Sequence, residues 1–435
     1  MPEPVDWKEY CFKPENALGG NCVRAFHNGD EAFAGMKELI LSAKKYILLE
    51  FYIFSDDSVG RMFRELLAEK AAAGVAVHLI YDSVGSILTD RDFFSGMAAC
   101  GIRLGEFRPV ALWKPYWSWA KRDHRKLICV DGEAALVGGF NITANDAPVS
   151  LGGRGWKDSQ ALVRGPVVAE VERLFWESWA VSEFYSAPGE SGGDCSRSPA
   201  VPEPGVKTGR GARGSGFAAL LRTSLHLLLR RRFPAGAPAL RSGESAGCGE
   251  AAGGVYAAVL SASGMRNSRS IRRSYSYAID RARRYIYITN AYFLPDRFVY
   301  RRLIRAVRRG VDVRIIGPYK TDHPYVRWAT WSIYPHMIKN GIKLYEWRGN
   351  ILHSKTAVID GIWSSVGSHN LDHRSLHYNM ELNLNIYDRE FGAEMARVFN
   401  EDLANSRPVS LEDTRNRPFP AKAAGKILYL FRSLM

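Results

Sequence analysis

Asp123–Asn141 reads DHRKLICVDGEAALVGGFN, and Leu352–Asn370 reads LHSKTAVIDGIWSSVGSHN. Both carry His, one residue, Lys, four residues, Asp, six residues, Gly, two residues, Asn. The first set is His124, Lys126, Asp131, Gly138 and Asn141; the second is His353, Lys355, Asp360, Gly367 and Asn370. A single His-x-Lys carries no information, but five matched residue types at one spacing, twice in a chain, do not arise by coincidence. RKLICVD and SKTAVID alternate like buried strands, so each His and its Lys project from one face. A neutral imidazole is a nucleophile, and a protonated one is a general acid. Lys and Asn supply charge and N–H donors that suit the non-bridging oxygens of a phosphate. Two such sets facing each other are equipped for displacement at phosphorus through a phosphohistidine.

The duplication extends outward from the motifs. AKKYILLEFYIF (Ala43–Phe54) matches ARRYIYITNAYF (Ala282–Phe293), and AAAGVAVHLIYD (Ala71–Asp82) matches VRRGVDVRIIGP (Val307–Pro318). CGIRLGEFRP (Cys100–Pro109) matches NGIKLYEWRG (Asn340–Gly349). The offset between matching stretches stays between 229 and 240 residues, so a whole domain is duplicated. Strands alternate with helical segments, which predicts an α/β fold with a parallel or mixed sheet covered by helices. The expected units are residues 1–185 with the first motif, a linker at 186–254, and residues 255–435 with the second. A pseudo-twofold between the halves would set the two histidines opposite each other at their interface. Residues 1–30 carry no readable chemistry.

Lys plus Arg number 59 against 45 Asp plus Glu, a net charge of +14, which points to a polyanionic partner: nucleic acid or an anionic membrane surface. The linker is rich in Gly, Ser, Pro and Arg, and embeds GFAALLRTSLHLLLRRRF (Gly216–Phe233). Its leucines fall at helical spacing ahead of three arginines, which fits either a membrane-surface helix or one packed on the core. AAGKILYLFRSLM (Ala423–Met435) is a weaker form of the same signal and reads as a docking helix. ALWKPYWSWAKR (Ala111–Arg122) interleaves aromatic and basic residues, as headgroup-level loops and base-stacking surfaces both do. Cys11, Cys22, Cys100, Cys129, Cys195 and Cys248 show no metal-ligand spacing and read as free thiols in a reducing compartment. MPEPVDWKEY is unlike a signal peptide, and no uncharged apolar run reaches the ~18 residues that span a bilayer. A soluble or peripheral protein is expected.

The paired motif, with LEFYIF (Leu49–Phe54), GGFNI (Gly138–Ile142), NAYFLP (Asn290–Pro295) and GSHNLDHRSLHYNMELN (Gly367–Asn383), resembles the phospholipase D superfamily. Within it, the sequence is most similar to short bacterial cardiolipin synthases without N-terminal transmembrane helices. The resemblance implies two duplicated α/β/α sandwich domains related by a pseudo-twofold, with the active site at their interface. It implies a two-step phosphatidyl transfer that uses no metal and no cofactor. The motif residues His124, Lys126, Asp131, His353, Lys355 and Asp360 would form the catalytic set, with His124 as nucleophile and His353 as acid/base. Lys126, Asn141, Lys355 and Asn370 would hold the phosphate. Glu381 is expected to orient His353 and Asp158 to orient His124, while Asp131 and Asp360 sit at strand-ending turns (VDG and IDG) and read as mainly structural members of the motif. Ser368 lies near the second site. His369, His373 and His377 with Asp372 fit a turn and helix start better than a metal cluster. The implied partner is an anionic phospholipid membrane, with phosphatidylglycerol as substrate and cardiolipin as product, on the cytoplasmic face of a bacterial cell membrane. No nucleic acid is expected, and no protein partner is inferable. A hydrolytic phospholipase D making phosphatidic acid, and a nuclease of the same superfamily, are the alternatives.

Overall fold

The computed structural model describes residues 6–110, 121–184, 254–262 and 269–431. The first half contains β1 (Leu18–Phe26), α1 (Gly29–Ser42), β2 (Tyr46–Phe51), α2 (Ser58–Ala72), β3 (Ala76–Asp82), α3 (Arg91–Ala99) and β4 (Arg103–Phe107). It continues with β5 (Lys126–Val130), β6 (Ala134–Gly138), β7 (Gln160–Arg164), α4 (Val168–Trp179) and β8 (Ser182–Phe184). The second half opens with β9 (Val255–Ala262), α5 (Ser270–Arg281), β10 (Tyr285–Asn290), α6 (Arg297–Arg308), β11 (Asp312–Pro318), α7 (Pro324–Lys339) and β12 (Lys343–Trp347). There follow β13 (Lys355–Ile359), β14 (Trp363–Gly367), α8 (His373–His377), β15 (Glu381–Tyr387), α9 (Arg389–Ala404) and β16 (Ser406–Pro408). Two helices, α10 (Leu411–Arg415) and α11 (Phe419–Leu430), end the described chain.

The strands form one sheet, in the order β16-β12-β11-β10-β13-β14-β15-β9-β1-β7-β6-β5-β2-β3-β4-β8. Outward from the β9–β1 seam, both halves run through equivalent strands in the same order. β1 and β9 pair antiparallel, with Leu18 opposite Ala257. A twofold axis between two neighbouring strands in a sheet requires that direction. The pseudo-twofold inferred from repeated sequence is thus built into the sheet, and the chain has the expected duplicated α/β architecture. The opening residues, which carry no legible chemistry, supply the seam strand.

Helix starts follow local chemistry. Asn28 caps α1 by accepting from Glu31 N–H, and Asp57 caps α2 by accepting from Val59 and Gly60 N–H. The outer faces of the two half-sheets bury separate cores beneath α1–α3 and α5–α7. A third core joins the inner faces: Leu127, Val137 and Ala161 of the first half share it with Val366, Leu384 and Ile386 of the second. Each large aliphatic side chain contributes roughly 1.5–3 kcal/mol on full burial, so this shared core holds the two halves together.

Two expectations change. Cys22 is disulfide-bonded, whereas Cys11, Cys100 and Cys129 are free. Arg122, read as part of a basic lip, is buried, with Nη1 3.5 Å from Asp82, because the chain turns inward to begin the motif strand. Residues 111–120 of that lip and the linker helix at 216–233 lie outside the described residues. The expected docking helix near the C-terminus is α11, which packs on α7.

Candidate active site

Each motif strand is preceded by extended residues that reach across to the other half. His124 N–H donates to Met380 C=O at 2.9 Å, and Met380 N–H donates to Arg122 C=O at 2.8 Å. The pseudo-symmetric pair is His353 N–H to Lys157 C=O at 2.7 Å and Lys157 N–H to Ile351 C=O at 2.9 Å. In both places the residue after the bridging one is a carboxylate: Glu381 follows Met380, and Asp158 follows Lys157. His124 Nδ1 therefore lies 3.1 Å from Glu381 Oε2, and His353 Nδ1 lies 2.8 Å from Asp158 Oδ2.

This exchanges the expected pairing. Sequence order suggested that each histidine would take the carboxylate of its own half; the crossed backbone bridges deliver the other one. Both carboxylates orient a motif histidine, each on the opposite side. With Nδ1–H of His124 held by Glu381, the Nε2 lone pair of that ring is left for the pocket, while His353 Nδ1 is shared between Asp158 and Lys355 Nζ, 2.8 Å from each.

Both lysines are fully buried. Lys355 Nζ lies 3.2 Å from Asp158 Oδ2 and donates to His353 C=O. Lys126 Nζ donates to His124 C=O at 2.7 Å and sits 5.3 Å from the Tyr52 ring centroid. Burial pushes the Lys126 ammonium down to about 7, and the charge of Lys355 adds to that shift. Burial also lowers His124 to about 4, against the opposing pull of Glu381, so the ring is neutral at pH 7. Burial alone would raise Glu381; the charge of His124, its hydrogen bond, and the charges of His369 and Lys126 outweigh it and hold the carboxyl at about 2. Asp158 is likewise pulled below its usual range by Lys355 and His353, despite burial. The crossed hydrogen bonds and the two backbone bridges bring the two motifs to one site between the halves.

Asn141 accepts from Ile53 N–H and gives one amide proton to Asp146 at 2.9 Å, leaving its second for a ligand. Asn370 is buried beside its motif. Gly138 and Gly367 are required by close approach: a Cβ would stand 2.5 Å from Ser159 O and 2.3 Å from Leu382 O respectively. Ser368 Oγ donates to Glu381 Oε2 at 2.5 Å, so it braces the carboxylate of the first histidine.

Asp131 and Asp360 do not reach the pocket, which corrects their place in the catalytic set. Both lie at the far ends of β5 and β13, seven residues and so roughly 22–24 Å along the strand from the histidines. They adopt left-handed backbone with φ of 54° and 55°. Asp131 accepts the N–H groups of Lys44, Lys45 and Tyr46; Asp360 accepts those of Arg283, Arg284 and Tyr285, and the Tyr10 hydroxyl. They clamp the turn that enters β2 and β10. Asp372 caps α8 through Ser375 N–H, and the His373 and His377 rings stack at 5.0 Å. No group of three or more His, Cys, Asp and Glu is placed to hold a metal among the described residues.

Sequence reading missed the aromatic walls. The Tyr52 ring meets His124 edge-on at 5.0 Å, the Tyr292 ring meets His353 at 6.2 Å, and Trp156 lies 5.7 Å from His353. The signal was present, since a tyrosine follows β2 and β10 in both repeats.

The family model described as "Cardiolipin synthase, PLD-like domain" matches residues 36–179 and 275–403, which hold both motifs. The chain belongs to that family. Among members of the cardiolipin synthase family, one from Geobacillus thermodenitrificans is 28% identical over 94% of this chain and 71% of its own length. Cardiolipin synthase A of Pseudomonas fluorescens is 29% identical over 92% of this chain and 72% of its own. The crystal structure of phosphatidylserine synthase from Haemophilus influenzae superposes with a TM-score of 0.65 at 14% identity, covering 95% of each chain. At that identity it establishes the fold.

Proposed function

We propose that the protein is a cardiolipin synthase that transfers a phosphatidyl group between two phosphatidylglycerol molecules. The observation that carries this reading is the pair of crossed His–carboxylate couples over two buried lysines, in a chain of this family.

His124, neutral in the folded protein, is the nucleophile: its Nε2 attacks phosphorus and a P–N bond forms as the P–O bond to glycerol breaks. His353, held by Asp158, gives its proton to the departing oxygen. A second phosphatidylglycerol then enters, and His353 takes the proton of its hydroxyl. That oxygen attacks phosphorus, the P–N bond breaks, and cardiolipin leaves. Lys126, Lys355 and the free amide protons of Asn141 and Asn370 face the non-bridging oxygens, where negative charge builds. Tyr52, Tyr292 and Trp156 wall the pocket against water, which favours an alcohol acceptor. The lipid substrates place the protein at a membrane, on the cytoplasmic face of a bacterial cell in this reading. No helix among the described residues is long and apolar enough to cross a bilayer.

The test is product analysis by mass spectrometry after mixing the protein with phosphatidylglycerol vesicles. Cardiolipin with free glycerol supports the proposal. Phosphatidic acid alone replaces it with hydrolysis, and no lipid product overturns it.

A further inference from the structure

Helix α11 is apolar on two faces. One docks against α7 so closely that a Cβ on Gly425 would stand 2.5 Å from Trp328 O. The other is uncovered: Phe419 is 78% exposed, Ile427 56%, Leu430 72%, and Phe431, just past the helix, 55%. These fall at spacings that share one side of a helix, with exposed Lys422 and Lys426 beside them. A helix that is apolar all round is normally buried, so a second apolar face needs a partner.

The position of that face identifies the partner. From His353, ring contacts run to Tyr292 at 6.2 Å, from Tyr292 to His323 at 5.6 Å, and from His323 to Tyr325 at 5.4 Å. Tyr325 lies in the first turn of α7, and Trp328, three residues on, carries α11; both rings are partly exposed. A groove of about 460 Å³ between α7 and α11, lined by Trp328, Trp331, Pro335, Phe419 and Lys426, continues the apolar surface. Aromatic rings therefore lead from the catalytic pocket to the first turns of α7, where the apolar groove against α11 begins. Half-exposed tyrosine and tryptophan match the headgroup level of a bilayer, and lysines beside an apolar face can extend to anionic headgroups.

We propose that the outer face of α11, with the exposed edge of α7, docks on an anionic bilayer and presents the pocket to lipids in it. The inference rests on the lipid-substrate reading above, and its test is independent of turnover. Flotation with vesicles of phosphatidylglycerol and phosphatidylcholine compares the whole protein with the triple variant Phe419→Asp, Ile427→Asp, Leu430→Asp. A second variant, Lys422→Glu with Lys426→Glu, isolates the charges. The triple variant should bind at least about tenfold more weakly while its turnover of detergent-dispersed lipid stays within about twofold. The charge variant should lose affinity for anionic vesicles and keep that for pure phosphatidylcholine. Unchanged flotation of the triple variant overturns the proposal, as does a lipid-free dimer that this variant converts to a monomer. Failure to form cardiolipin with normal flotation would remove the synthase reading and leave the docking face standing.

Discussion

His124 Nδ1 lies 3.1 Å from Glu381 Oε2, although the two residues are 257 positions apart and belong to different repeats. The same crossing joins His353 to Asp158 across 195 positions. Each histidine is therefore oriented by the half it does not belong to. Neither repeat supplies the carboxylate of its own motif histidine, which gives a physical reason for both halves to stay in one chain.

A double-mutant cycle on stability reads this crossing directly. His124→Ala with Glu381→Gln should show a coupling of roughly 1.5–3 kcal/mol, the size of a buried hydrogen bond to a charged group. His353→Ala with Glu381→Gln should be nearly additive. Urea unfolding of the four-variant sets decides between them, and the reverse pattern would refute the crossed arrangement.

His124→Ala and His353→Ala should each reduce turnover to below about 1% of the parent, because each ring serves both half-reactions. Cardiolipin formation from detergent-dispersed phosphatidylglycerol is the assay. Substantial activity in either variant is incompatible with two cooperating histidines.

His124 is lowered from 6.5 to about 4 by burial, so as pH falls the unfolded chain takes up its proton first. Its contribution is complete above pH 6.5 and is lost as pH drops toward 4, by roughly 3 kcal/mol over that window. Glu381, held at about 2 against 4.5, contributes in the same sense, with its loss between pH 4.5 and 2. His78, lowered to about 3 by burial, adds to the first window. Melting curves of the parent and His124→Asn should therefore differ in slope between pH 4 and 6.5, and parallel curves would count against a neutral, buried His124.

Lys126, lowered to about 7 by burial, is largely uncharged at pH 8 in the empty pocket. An anion placed against it favours the ammonium, so sulfate binding at pH 8 should draw in close to one proton, about 0.9 at most. Calorimetry in two buffers of different ionisation enthalpy measures the uptake, which Lys126→Met should abolish. Binding with no proton uptake would mean that the amine is already charged.

Asp131→Asn should behave as a stability variant. The carboxylate holds three backbone N–H groups at the entrance to β2, so its loss should cost roughly 2–4 kcal/mol of folding free energy. Turnover per folded molecule should stay within about threefold. A catalytic role would appear as the opposite result: normal urea denaturation and lost turnover.

The sequence by itself determined the duplication, the α/β class and the chemistry of the pocket, because residue type and spacing are local and the motif occurs twice. Period-2 alternation marked the motif strands, and the VDG and IDG triplets marked their turns, since Asp and Gly tolerate left-handed backbone. The pairing of histidines with carboxylates was beyond its reach. That pairing depends on two isolated backbone bridges between halves, Asp123 with Met380 and Lys157 with Leu352, and no local pattern encodes which half supplies the partner. The partners of Asp131 and Asp360 were likewise decided in three dimensions: each holds backbone N–H groups at the entrance to a strand about 75 to 90 residues away. Tertiary packing also fixed the protonation states, since an isolated His-x-Lys titrates normally. Burial keeps His124 neutral down to about pH 4 and brings the Lys126 ammonium down to about 7.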